Sequence, residues 1–140
     1  MLTKKPSNVN KTSRHLYQKI AAHHAELEFT KLDADEGART LIVSYGTSAR
    51  SMIQAARKAR ATGKRVSMLT VQSLFPVPEQ SLRNAMRDVA RVIVPELNLG
   101  QYRLEVERLA ATVDSRPQVI GVNRVDGELI EPAEIEEQII

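Results

Sequence analysis

From Thr40 onward, short apolar runs alternate with stretches whose apolar residues recur every three or four positions. Thr40-Leu41-Ile42-Val43-Ser44-Tyr45 has the length and branched content of a buried strand. Gly46-Thr47-Ser48 follows as a turn whose hydroxyls can cap a helix, and Ala49, Met52, Ile53, Ala56 and Ala59 then trace one helical face. Arg57, Lys58 and Arg60 lie off that face, and Gly63 supplies a left-handed stop. Val66 to Val71 predicts a second strand. Phe75-Pro76-Val77-Pro78 cannot begin as helix, and Pro78 suits the first helical position ahead of Leu82, Ala85, Met86 and Val89. Arg91 to Val94 predicts a third strand that runs through a polar turn, Pro95 to Gln101, into an amphipathic helix from Tyr102 to Leu109. Gln118 to Val122 predicts a fourth strand. Asp126-Gly127, between Asn123-Arg124-Val125 and Glu128-Leu129-Ile130, carries the signature of a tight hairpin. Pro132 opens a last helix that buries Ile135 and Ile139.

This alternation predicts an α/β fold, a three-layer α/β/α sandwich around a mostly parallel sheet with right-handed crossovers. The N-terminal part has a different character. Residues 1 to 11 are polar and basic and read as a disordered or partner-ordered arm. A helix is predicted from Thr12, with Thr12 or Ser13 as its cap and Leu16, Ile20, His24 and Leu27 along one face. The acidic turn Asp33-Ala34-Asp35-Glu36-Gly37 separates it from the body. The expected division is an arm and connector helix over residues 1–38 and one domain over 39–140.

Composition narrows the chemistry. Cysteine is absent, so this chain supplies no disulfide, no thiolate metal site, no cysteine nucleophile and no all-cysteine iron–sulfur cluster. A reducing, cytoplasmic setting fits that usage. Lys and Arg number 20 against 17 Asp and Glu, a formal charge of +3, and part of the excess sits at Lys4, Lys5, Lys11, Arg14 and Lys19. The aromatics are Tyr17, Tyr45, Tyr102, Phe29 and Phe75, a thin stacking platform for single-stranded nucleic acid, which is therefore not expected as a partner. No apolar run approaches the ~20 residues of a membrane span.

Two turns gather polar groups. Gly46, Thr47, Ser48 and Arg50 place amides, hydroxyls and a guanidinium at a helix start, a geometry able to hold a phosphate or carboxylate, although helix capping explains the same residues. Arg50 stands where a nucleophile elbow would need its second glycine. Glu96, Asn98, Gly100 and Gln101 follow the third strand. No histidine or second acid lies near in sequence, so the expected role of Glu96 and Asn98 is to fix the loop by hydrogen bonds and face a partner. His23 and Glu26, three apart on a helix, could share a metal, but no further ligands cluster with them. Arg103 and Glu107 are at pairing distance on a solvated or interface face. No catalytic or cofactor-binding residue is expected.

The segments Tyr45 to Arg50, Phe75 to Pro78 and Pro95 to Gln101 with Glu105-Val106, closed by Gly127, Pro132 and Ile135, together resemble one region. That region is the C-terminal part of the α subunit of 2-oxoacid:ferredoxin oxidoreductases, particularly the 2-oxoglutarate type. The Glu-x-Asn-x-Gly-Gln element is its specific part. The resemblance runs from about Thr40 to Ile140 and implies a transketolase C-terminal-like domain. It further implies an enzyme that oxidatively decarboxylates a 2-oxoacid to an acyl-CoA, with thiamine diphosphate, magnesium and iron–sulfur clusters held by other domains or subunits and electrons passed to ferredoxin. The Gly-Asp-Gly diphosphate motif is not matched, since Val125 precedes Asp126-Gly127. The implied role is subunit contact through Arg50, Glu96, Asn98, Gly100 and Gln101, without catalysis by the chain alone. An excised domain and a naturally split subunit both fit, with Met1 and the basic arm favouring the second. Two rival expectations are a free-standing anion- or nucleotide-binding module using the turn after Gly46, and a basic nucleic-acid adaptor.

Overall fold

The computed structural model describes residues 5–140. Its elements are α1 (Pro6–Ala22), α2 (His24–Leu27), β1 (Thr30–Asp33), β2 (Thr40–Ser44), α3 (Ser48–Ala61), β3 (Val66–Val71), α4 (Glu79–Met86), β4 (Arg91–Glu96), α5 (Gln101–Ala110), β5 (Gln118–Asn123) and α6 (Pro132–Glu136). The sheet has five strands in the order β1-β3-β2-β4-β5. Strands β2 to β5 run parallel, and β1 pairs antiparallel with β3 from Thr30 opposite Val71 to Asp33 opposite Met68.

The period-two pattern of the central strands divides the core between the two faces of this sheet. Leu41, Val43, Leu69, Val71, Val92 and Val94 pack under α4 and α5. Ile42, Val66, Met68 and Ile93 point the other way, against α3 and α6. All five residues of β2 are buried, as a central parallel strand covered on both sides requires. The three-layer α/β/α sandwich read from the chain is the architecture observed.

Four local expectations are corrected. The segment expected as an arm is helical from Pro6, whose missing N–H is no loss in a first turn, so neither Thr12 nor Ser13 is a cap. Residues 1–4, including Lys4 of that arm, lie outside the described residues. Thr30 to Asp33, placed within the connector, is a strand of the sheet. Pro78 sits one place earlier than expected, as the cap of α4. Asp126-Gly127 makes no hairpin. Asp126 Oδ1 accepts from the Glu128 amide (3.0 Å), and Arg124 donates to Asp126 Oδ2 (3.1 Å) and to the Leu129 carbonyl (2.7 Å). These side chains take the backbone groups a ladder would use, and Ile130 then turns into the core beside α3 and α6.

Candidate functional site: the crevice between β2 and β4

From β2 the chain crosses to β3 over one face through α3, whereas from β4 it crosses to β5 over the other face through α5. The carboxyl ends of β2 and β4 therefore flank the topological switch point, where open α/β sheets form a crevice. Here the crevice is filled by the chain's own side chains. The β2–β4 ladder runs from Thr40 opposite Arg91 to Ile42 opposite Ile93. Beyond it Ser44 Oγ donates to the Pro95 carbonyl at 3.0 Å.

Glu96 ends β4 and is fully buried. Its Oε2 accepts from the Tyr102 amide and its Oε1 from the Arg103 amide, each at 3.0 Å. Asn98 Oδ1 accepts from the amides of Gly100 (2.7 Å) and Gln101 (3.2 Å). The four amides at the start of α5 are thus all bonded within the chain, and the buried carboxylate lies where the helix dipole favours negative charge. Gly100 makes the geometry possible: its φ of +98° turns the loop sharply into the helix, a conformation that disfavours side chains.

Tyr45 closes the network from β2. Its hydroxyl donates to Glu96 Oε2 (3.1 Å) and accepts from Asn98 Nδ2 (2.8 Å), and its ring meets that of Tyr102 edge-on at 5.4 Å. Burial first, then the adjacent Glu96 charge, raises the pKa of the Tyr45 phenol. From β5, Asn123 Nδ2 donates to the Asn98 carbonyl at 3.0 Å.

The structure thus brings Glu96, Asn98, Gly100 and Gln101 together, with the loop-fixing hydrogen bonds expected of Glu96 and Asn98. Glu96 and Gly100 are buried and shape the loop from behind rather than presenting a surface. Gln101 is exposed, and the other side chains turned outward are Leu97, 40% exposed, and Leu99, 77% exposed, which the sequence reading passed over. Tyr45 and Asn123 were missed as members, because their partners are distant in sequence. The signal available was an aromatic at the end of one buried strand and a carboxylate at the end of its neighbour.

The turn after β2 stands apart from this network. Gly46, Thr47 and Arg50 are exposed and Ser48 is buried. Thr47 has helical angles and makes no capping hydrogen bond, so the cap expected of its hydroxyl is not formed. Elsewhere His23 and Glu26 pair directly at 3.0 Å, and Arg103 pairs with Glu107 at 3.1 Å, the latter as expected. Among the described residues no three His, Cys, Asp or Glu side chains come together as a metal site, and no helix is long and apolar enough to cross a membrane.

Residues 38–135 match the family described as pyruvate:ferredoxin oxidoreductase core domain II. The chain is 30% identical over 135 residues to 2-oxoglutarate synthase subunit KorA of Methanothermobacter thermautotrophicus, covering 96% of this chain and 35% of that protein. It is 31% identical over 138 residues to the KorA subunit of Methanocaldococcus jannaschii, again over 96% of this chain and 35% of the relative. Ketoisovalerate oxidoreductase subunit VorB of M. thermautotrophicus is 34% identical over 104 residues, 74% of this chain and 28% of its own length. The chain spans about a third of the length of the KorA relatives. Among solved structures, a 2-oxoglutarate:ferredoxin oxidoreductase from Magnetococcus marinus, with 2-oxoglutarate, coenzyme A and succinyl-CoA bound, superposes with a TM-score of 0.77 at 22% identity, over 97% of this chain and 23% of that one. A split-gene transketolase in an inactive β4 tetramer shares the fold with a TM-score of 0.63 at 21% identity, over 76% of this chain and 39% of its own. With its sheet, its Glu-x-Asn-x-Gly-Gln loop and this match over most of its length, the chain belongs to the domain II family of 2-oxoacid:ferredoxin oxidoreductases.

Proposed function

We propose that this chain is a structural and assembly domain of a 2-oxoacid:ferredoxin oxidoreductase, working beside partner domains or subunits that bind thiamine diphosphate with magnesium and carry the iron–sulfur clusters. In this reading the complex oxidatively decarboxylates a 2-oxoacid to its acyl-CoA and passes the electrons to ferredoxin or another acceptor in the cytoplasm. The assembly domain comprises residues 39–140 together with the edge strand β1, and the helices before it connect it to the rest. The observation that carries the proposal is the crevice between β2 and β4. Its polar groups are consumed by one another while Leu97 and Leu99 face outward, an arrangement suited to a contact surface rather than to chemistry. The α5 start, with its amides bonded to Glu96 and Asn98, has no free donors for a diphosphate, and no step of the decarboxylation is assigned to these residues. Family membership disfavours the free-standing anion-binding module. Arg50, Asn98 and Gln101 are proposed as further contact residues.

Calorimetry of the purified chain with thiamine diphosphate and magnesium tests the division of labour. No binding is expected to the chain alone, and stoichiometric binding would refute it. Purification from the native source is expected to yield the chain with thiamine-binding and cysteine-rich subunits.

A further inference from the structure

Helix α1 carries an apolar stripe that the rest of the chain leaves uncovered. No residue of this 17-residue helix is buried, and Val9, Leu16 and Tyr17 are 46%, 57% and 76% exposed. A helix of this length is marginal in water without packing of its apolar face. Leu16, Tyr17 and Ile20, with His24 beyond them, form one wall of a groove of about 460 Å³, and Phe75, Pro76 and Val77, between β3 and α4, form the other with Glu79 at its end. Phe75 is 80% exposed.

Helix α1 itself is one-sided in charge, with no acidic residue between Pro6 and Ala22. Lys5, Lys11, Arg14 and Lys19 all precede the first acidic residue of the chain, Glu26. Arg14 is one turn from Tyr17 and Lys19 one turn from Leu16, so a cation stands on each side of the stripe. Arg14 bonds to the neutral Asn10 at 2.8 Å, and neither it nor Lys19 pairs with a carboxylate among the described residues. Glu79, which lines the groove, and Glu28, which pairs with the lining residue His24, are already engaged. Glu28 pairs with His24 (3.2 Å) and accepts from Ser81 (3.4 Å), while Glu79 pairs with Arg83 (2.9 Å) and Arg108 (2.7 Å).

We propose that the groove between α1 and the Phe75–Val77 segment docks an apolar segment bracketed by carboxylates on a partner subunit, an inference that rests on the assembly role proposed above. Its apolar walls would bury the partner's apolar side chains, and Arg14 and Lys19 would meet the flanking acids. Other occupants fit less well. A membrane surface cannot enter a concave groove, and α1 carries one leucine and no phenylalanine or tryptophan. A second copy would bring the same cations to the seam, and nucleic acid would engage the cations while leaving the apolar walls in water.

The test is a photo-reactive amino acid at position 17 or 75 in the native assembly, with mapping of the crosslinked peptides. Crosslinks are expected to an acidic–apolar peptide of another subunit. Arg14→Glu combined with Lys19→Glu is expected to weaken retention of that subunit roughly ten-fold, with a salt dependence the parent shows and the variant loses. The melting temperature of the chain should be unchanged. Crosslinks to a second copy, to lipid or to nucleic acid overturn the inference, as does their absence from both positions while partner subunits co-purify. A chain that purifies without partners overturns the assembly role and the docking with it.

Discussion

Glu96 is a fully buried carboxylate whose hydrogen-bond partners all lie within the chain. Two backbone amides and the Tyr45 hydroxyl donate to it, so truncation orphans several polar groups at once. Glu96→Ala is expected to lose about 2–4 kcal/mol in urea unfolding. Glu96→Gln should lose about 1–3 kcal/mol, because its NH2 must face an amide N–H. The two tyrosines that meet edge-on make a sharper contrast. Tyr45 has two partners for its hydroxyl, whereas the buried Tyr102 hydroxyl has none among the described residues. Tyr45→Phe should therefore cost about 1 kcal/mol, and Tyr102→Phe should change stability at neutral pH by less than about 1 kcal/mol. Burial dominates the upward pKa shift of both phenols from the ordinary value of 10.0. A phenol raised on folding adds stability that is fully present below pH 10.0 and is lost as pH climbs through the folded value. Stability should thus fall in alkaline solution, and Tyr102→Phe should flatten that fall in urea titrations run up to about pH 11. That Glu96 and Asn98 fix their loop was legible because they follow a buried strand with no histidine or second acid near in sequence. The part of Tyr45 was not, because its partners, Glu96 at the end of β4 and Asn98 in the loop after it, become its neighbours only after a crossover.

The elements that periodicity could reveal were those with a buried face. Strands β2, β3 and β4 and helices α3 and α5 announced themselves because burial on a fixed face imposes a period on the sequence. Strand β1 carried no such signal: Thr30-Lys31-Leu32-Asp33 lies at the sheet edge with three of its four residues exposed, and Leu32 is itself 50% exposed. Its attachment depends on polar contacts. Arg60 of α3 donates to the Val66 carbonyl at 2.7 and 3.0 Å and pairs with the Asp33 carboxylate at 3.1 Å. The Asp35 carboxylate accepts from the Val66 amide at 3.1 Å. Arg60→Ala is accordingly expected to raise amide hydrogen exchange in β1 while β2 and β4 keep their protection, and a uniform rise across the sheet would refute this. The false hairpin at Asp126-Gly127 has the complementary cause. A local turn signal holds only where a second strand is free to pair, and here Ile130 is drawn into the core instead.

At the scale of the molecule, the Leu97–Leu99 loop and the groove beside α1 both turn apolar side chains outward. If the loop is a contact surface, Leu99→Asp should abolish co-purification with partner subunits and leave the unfolding midpoint of the chain within about 0.5 kcal/mol of the parent, since Leu99 is 77% exposed. Loss of stability without loss of assembly would refute the contact role. On the proposed assembly role, the network behind the loop also bears on the speed and lifetime of docking. Glu96 and Asn98 hold residues 97–101 in place during folding of the chain itself, so little conformational entropy remains to be lost when a partner arrives. Docking should then proceed as a single-step encounter without a slow rearrangement phase, and variants that loosen the network, such as Tyr45→Phe, should act mainly through faster dissociation.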